Sequence, residues 1–262
     1  MTNAARRVMP DTPEGHALRA KAASVPFWWH SIDLGLGVTT LGRKSPEQLE
    51  RETAALALPD FAGKSVLDIG AWDGFFSFLA EERGAARVVA CDHFAWARDF
   101  SATDQKDRLT PDWRRLPGKR GFDVAHAARK SRVEPVVADY MTMDLDAAGA
   151  FDIVLYLGVL YHMEDPLAAM RRVRALTKGV AIIETEAIAV AGFERRAFAE
   201  FFTPGAKLLG DPTNFWSPNA PCLEGLCRTA GFARVDLLTT PPRPREGHAE
   251  RYRLVAHASV SD

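Results

Sequence analysis

A chain of 262 residues, 47% hydrophobic and 26% charged, has the composition of a globular protein, and one α/β domain with a substantial core is the expected size. The formal net charge of -1 gives no global attraction to nucleic acid or to an anionic membrane. Three cysteines, Cys91, Cys222 and Cys227, form no C-x-x-C pair, which argues against a disulfide framework and for a reducing cytoplasm. Residues 1–24 are rich in Ala, Arg and Pro and predict a frayed start followed by a short helix over Glu14–Ala23. Phe27-Trp28-Trp29-His30 and a glycine-bearing stretch, Gly35 to Gly42, then predict an ordered turn. Ser45-Pro46 opens a helix that runs to about Ala57, with Ser45 as N-cap and Pro46 in the first helical position.

The sheet begins at Ser65–Ile69, and a helix over Phe75–Arg83 stops at Gly84. A second strand covers Arg87–Asp92. Residues 93–132 form a long excursion with Trp96, Pro111, Trp113, Pro117 and a closing helix over Phe122–Ser131. Strands follow at Pro135–Asp139, Asp152–Leu157 and Val180–Thr185, with a helix over Pro166–Leu176. Residues 186–219 read as irregular with a helical patch near Arg195–Phe201. Ala220–Ala230 is a helix closed by Gly231, and Arg234–Leu238 and Tyr252–Ala258 are the last strands, around a Pro-rich loop at 241–250. Strands alternating with helices predict a doubly wound sheet. Residues 1–60 are expected to form a helical cap and 61–262 the main domain, with the insertion at about 93–132. No apolar run reaches the roughly 18 residues of a membrane span, and residues 1–20 lack a signal-peptide core.

The richest segment is Val66-Leu67-Asp68-Ile69-Gly70-Ala71-Trp72-Asp73-Gly74. It predicts strand, glycine turn and helix, with the second strand ending in Asp92, 22 residues after Gly70. Such a unit binds a ribose-bearing ligand at the carboxyl end of a parallel sheet. The nicotinamide fingerprint G-x-G-x-x-G is broken by Trp72. Asp68 and Asp73 would repel a pyrophosphate but suit a cationic ligand.

This segment resembles motif I of class I methyltransferases, an apolar run followed by D-x-G-x-G or a relaxed relative. The resemblance implies a Rossmann-like seven-stranded sheet, mostly parallel with a C-terminal antiparallel strand, and S-adenosylmethionine as cofactor. It implies that Asp68, Gly70 and Gly74, with Trp72 in the turn, meet the methionine part. It gives Asp92, beside His93, the ribose, and Asp139 with Tyr140 or Met141 the adenine. Leu157 and Gly158 would line the sulfonium side. Read without the resemblance, Asp139 is a capping acid at a strand-to-turn junction.

Gly158-Val159-Leu160-Tyr161-His162, with Trp29 to Leu34 and Ile183-Glu184-Thr185, resembles the family of tRNA wobble-uridine carboxymethyl-transferring enzymes over roughly residues 27–237. That family carries an upstream lysine- and tryptophan-rich segment that helps bind the carboxylate of carboxy-S-adenosylmethionine. The nearest basic stretch here, Gly42 to Pro46, lacks the tryptophans, so plain S-adenosylmethionine and a small-molecule methyl acceptor are expected, with tRNA as the alternative. Lys119, Arg120, Arg129, Lys130 and Arg132 read as a solvated basic face or as phosphate contacts.

Methyl transfer is an in-line displacement, so holding the partners in line is the main task. A hydroxyl acceptor also needs a base, and histidine suits that work near neutral pH. His162 and His30 are the candidates, with Tyr161 positioning; the bland reading is that the two histidines bond each other or backbone and merely seal the pocket. Glu184 and Glu186 share one face and would orient a histidine, bond a polyol or pair a core arginine. Trp28, Trp29, Phe215 and Trp216 are candidate acceptor walls. His30, His162, Glu184 and Asp33 lack metal-ligand spacing, so no metal is expected. A homodimer stays open, as does a lid, arm or clamp role for the 93–132 excursion.

Overall fold

A computed structural model describes residues 12–97, 118–203 and 213–262. The expected frayed start, the centre of the excursion with Pro111, Trp113 and Pro117, and part of the 186–219 stretch lie outside the described residues.

Two helices lead in. Helix α1 (Pro13–Ala23) is capped by the Thr12 side chain, and α2 (Pro46–Ala55) by Ser45, whose Oγ accepts from Gln48 N. The strands and helices then alternate: β1 (Ser65–Ile69), α3 (Phe75–Glu82), β2 (Arg87–Asp92), α4 (Phe94–Ala97), α5 (Arg120–Arg129), β3 (Glu134–Val137), α6 (Leu145–Ala148), β4 (Phe151–Leu157), a 3-10 turn (Leu160–His162), α7 (Pro166–Ala175) and β5 (Thr177–Val190). A small pair, β6 (Ala199–Phe201) and β7 (Trp216–Pro218), precedes α8 (Ala220–Ala230), β8 (Arg234–Leu237) and β9 (Ala249–Ser259).

The main sheet has seven strands in the order β3-β2-β1-β4-β5-β9-β8. Strands β1 to β5 pair in parallel, and β9 runs antiparallel to both β5 and β8. This is the expected seven-stranded, mostly parallel sheet with its antiparallel C-terminal strand. Side chains alternate across it. Val66, Ala90, Ile153 and Leu155 face one core, shared with α3, α5 and the N-terminal residues Trp28, Ile32 and Leu34. Leu67, Val89, Val154 and Tyr156 face the other, under α7 and α8.

The departures from expectation have local causes. Strand β5 continues to Val190 because β9 pairs with it all the way, from Val180↔Ser259 to Val190↔Ala249. The helical patch expected near Arg195–Phe201 is instead partly β6, whose partner β7 lies beyond the undescribed stretch. Helix α2 stops short of Ala57, which takes a left-handed φ of 44°. No described helix is long and apolar enough to cross a membrane.

Candidate active site

The first parallel strands end side by side, and the turns after them build the site. Strand alternation puts Asp68 on the α3 face of β1, 3% exposed, where it accepts a hydrogen bond from Ser77 Oγ at 2.6 Å. Burial pushes its pKa up to about 7; Ser77 opposes the rise, and the neighbouring Asp92 and Asp73 carboxylates add to it.

Gly70 takes φ 78°, and a Cβ placed there would lie 2.7 Å from Val159 Cγ2, so the turn touches the loop after β4. Gly74 is the N-cap of α3 with φ 88°, and its Cβ would meet Phe78 and Phe122 within 2.9 Å. Between them Trp72 has φ 52°, a left-handed conformation that costs a bulky residue about 1–3 kcal/mol. The strain is held at both ends. Trp72 N donates to Asp92 Oδ2 at 2.9 Å, and Trp72 O accepts from Trp96 Nε1 at 2.6 Å.

Asp92, expected at the ribose, is therefore also a structural acid. Its Oδ1 accepts from Ala95 N at 2.8 Å at the start of α4. Burial raises its pKa, and the backbone N–H groups of Trp72 and Ala95 oppose the rise. Exposed His93 stands beside Asp92.

Asp73 does not face the ligand side of the turn alone. Its Oδ2 accepts from Trp29 N at 2.8 Å and His30 N at 2.9 Å, and its Oδ1 accepts from the His30 ring. His30 stacks on Phe75 with centroids 5.4 Å apart. The sequence reading placed His30 with His162 around the transfer site. The structure instead commits its ring to Asp73 and the first turn of α3, as a clasp between the segment before α2 and the turn after β1. The Trp29 ring lies 5.3 Å from Trp72, with the Arg43 guanidinium 5.6 Å from its centroid. Trp28 is core: it is 5% exposed, and its Nε1 donates to Ala22 O.

After β3, Asp139 Oδ1 accepts from Met141 N at 2.9 Å, the capping role the residue has without any ligand. Tyr140 departs from expectation. Its ring is buried in the α7-side core and its hydroxyl is bonded to Tyr156 at 2.5 Å and to Met163 Sδ at 2.9 Å. It is not presented as an adenine face, which leaves half-buried Met141 as the neighbour of Asp139 at this strand end.

The loop after β4 carries the acceptor-side candidates. Leu157 is half-buried, and Gly158 N donates to Glu184 O at 2.8 Å. His162 Nδ1 lies 3.0 Å from Thr213 O and 2.9 Å from Thr213 Oγ1. The Thr213 carbonyl only accepts, so this contact favours the neutral tautomer with the proton on Nδ1, in which Nε2 would be the basic nitrogen. The ring stacks with Phe94, two residues beyond Asp92, at 6.2 Å, which joins the ends of β2 and β4. Tyr161 is fixed by its own carbonyl, which accepts from Phe215 N at 2.8 Å.

Arg253 was not foreseen. It stands on β9 directly opposite Glu186, and its guanidinium binds both oxygens of Glu184. It reaches Glu186 Oε2 at 3.4 Å and lies 5.2 Å from the Tyr161 ring centroid. The signal was Arg253 on the last strand and the alternating acids Glu184 and Glu186, which means something only once the two strands are known to pair with Arg253 opposite Glu186. Among the described residues no three His, Cys, Asp or Glu side chains gather as a metal site.

A family model described as a methyltransferase domain matches residues 41–237. The tRNA U34 carboxymethyltransferase of Desulfotalea psychrophila is 25% identical over 195 residues, covering 72% of this chain and 51% of the relative. The protein of the same name from Campylobacter jejuni is 26% identical over 184 residues, covering 69% and 53%. The chain thus spans about half the length of the curated relatives it matches. Among solved structures, the N-terminal domain of EvdMO1, crystallised in the presence of SAH and D-fucose, superposes with a TM-score of 0.63 at 17% identity, over 95% of this chain and 97% of that one. The same domain with SAH bound gives 0.61 at 19% identity, over 93% and 96%. At these identities the likeness speaks for the fold.

Proposed function

This chain belongs to the methyltransferase-domain family, and from that premise we propose that it methylates a hydroxyl of a small molecule, a sugar or secondary metabolite, with S-adenosylmethionine as donor. One observation carries the cofactor reading: Asp68, Asp73 and Asp92 are buried together around the Gly70–Gly74 turn, and among the described residues no Lys or Arg side chain is paired with them. Asp73 and Asp92 are satisfied by several hydrogen bonds, whereas among the described residues the Asp68 carboxylate is met by Ser77. A buried carboxylate of that kind is unfavourable unless protonated or met by a cation. S-adenosylmethionine, when bound, supplies an ammonium, a sulfonium and an activated methyl group.

The chain's own residues would divide the work. Asp68 meets positive charge, and Gly70 and Gly74 let backbone approach the ligand. Trp72, held in its strained conformation, lines the turn. Asp92 and Asp139 offer acceptors at the ends of β2 and β3. Leu157 and Gly158 exclude water beside the reacting atoms. His162 Nε2 takes the acceptor hydroxyl's proton, and the Nδ1–H bond to Thr213 holds the ring in the tautomer that this requires. Tyr161 positions the acceptor. His30 acts through the Asp73 clasp and not as a base.

A second reading, transfer to a tRNA wobble uridine, draws on the names of the curated relatives. Calorimetric titration with S-adenosylmethionine, S-adenosylhomocysteine, the carboxylated cofactor and NAD separates the readings. Binding of the first two without the third is expected. Preference for the carboxylated form turns the reading toward tRNA, and binding of NAD alone overturns it.

A further inference from the structure

Arg253 and its partners form a charged group apart from the Asp68–Gly74 turn. They sit where β4 and β5 end side by side, at the register pair Leu157↔Glu184. Gly158 marks the spot. A Cβ built there would lie 3.4 Å from Tyr161 Oη, 3.6 Å from Arg253 Nη2 and 3.8 Å from Glu184 Oε2. Three polar groups from three separate elements thus converge on one backbone position in the loop after β4.

The chemistry of this group is specific. The Arg253 side chain is 45% exposed, whereas those of Glu184 and Glu186 are 16% and 10% exposed. The guanidinium is engaged by Glu184 through both oxygens and by Glu186, and it lies over the Tyr161 ring. Two carboxylates against one guanidinium leave the group neutral or negative, so it is a poor seat for an anion. Its outer edge still offers fixed acceptors and N–H donors beside an aromatic face. Fixed charged hydrogen-bonding groups whose rotamers are held by one another are suited to reading several hydroxyls at once. Tyr161 adds a flat apolar surface for the ring of a sugar-like molecule.

We propose that Arg253, with Glu184, Glu186 and Tyr161, forms the acceptor subsite and selects a neutral polyhydroxylated ring over an anionic one. This rests on the methyltransferase reading given above and names the substrate class of that same site. Arg253 is a specificity-determining residue here; it donates to ring hydroxyls while Glu184 and Glu186 hold its fork and accept from them. The Tyr161 ring centroid lies 4.3 Å from that of His162, so a hydroxyl held by this group would lie on the His162 side of the site.

The test uses the full-length protein saturated with S-adenosylhomocysteine and titrates D-fucose, D-glucose and D-glucuronate, with cofactor binding measured separately on each variant. The wild type is expected to bind at least one neutral sugar and to disfavour glucuronate by about tenfold or more relative to glucose. Arg253→Lys keeps the charge and loses the fork. It is expected to weaken the neutral sugars about tenfold while the affinity for S-adenosylhomocysteine stays within twofold. Glu186→Gln, which keeps an acceptor and removes a charge, should narrow the preference against glucuronate by several fold. The proposal is overturned if no neutral sugar binds, if glucuronate binds as well as glucose, or if Arg253→Lys leaves sugar binding unchanged. Failure of the wild type to bind S-adenosylhomocysteine at all would instead sink the methyltransferase reading. Tighter binding of the carboxylated cofactor, lost in Arg253→Lys, would reassign Arg253 to the cofactor and also overturn the acceptor subsite.

Discussion

The turn after β1 and the loop after β4 lie against each other at Gly70 and Val159, yet they are built in opposite ways. The first is made from one short stretch, Asp68 to Gly74, and the backbone does most of the work: two glycines and a tryptophan with positive φ, locked by Asp92 and Trp96. The second is made from side chains brought together from afar, His162 with Thr213 and Arg253 with Glu184, residues 51 and 69 positions apart. Recognition of a common cofactor can be written into a local motif. Recognition of a particular acceptor is assembled by long-range pairing, and can be rebuilt without touching the motif.

The contrast is broken most severely by equal substitutions at its two ends. Gly74→Ala should cost about 3 kcal/mol or more, because its Cβ would strike Phe78 and Phe122 in a left-handed backbone. Thermal unfolding and cofactor titration would both register it. Gly158→Ala, with 3.4 Å to its nearest neighbour, should cost about 1 kcal/mol and leave cofactor affinity within a few fold. Equal losses at the two positions would erase the distinction.

Next in size is His162→Ala, expected to lower kcat by about 10²–10⁴-fold with the cofactor Kd unchanged. An unaltered rate would remove the base from His162. Asp68→Asn should weaken S-adenosylmethionine by about tenfold or more and at the same time stabilise the ligand-free protein at pH 8. The second effect follows from linkage. A carboxyl at about 7 when folded, against an ordinary value of 3.8, stabilises the fold fully below about pH 4, and that contribution is lost as pH rises through about 7. A lower Tm for Asp68→Asn at pH 8 would contradict the buried charge. The smallest effect is expected of His30→Gln: a loss of about 1–2 kcal/mol in stability from the weakened Asp73 clasp, with kcat within a few fold of wild type. A kcat loss as large as that of His162→Ala would return His30 to the chemistry.

Local rules explain which parts were legible in the sequence. Strands β1, β2 and β4 are short apolar runs bounded by glycine or acid, and α8 has Asn219 before it and Gly231 after it, so all were readable from neighbours in the chain. The far end of β5 was not, because Glu184 and Glu186 look like the close of a strand until Arg253 is placed across from them. Tyr140 misled for a related reason. Its position after Asp139 fits a ring at the strand end, and only the hydroxyl of Tyr156 and the sulfur of Met163 reveal that it points into the opposite core. His30 looked catalytic beside a tryptophan pair because its partner, Asp73, lies 43 residues away inside the motif itself.

The measurement that bears most directly on the buried carboxylate is the pH dependence of S-adenosylmethionine binding, in wild type and in Asp68→Asn, the variant correcting for titration of the ligand itself. If Asp68 must ionise to receive a cation, the wild-type Kd should tighten by about tenfold more than that of the variant between pH 6 and pH 8, with a proton released on binding. Parallel profiles for the two proteins, with no proton released by Asp68, would mean that the carboxylate does not meet the positive charge of the ligand.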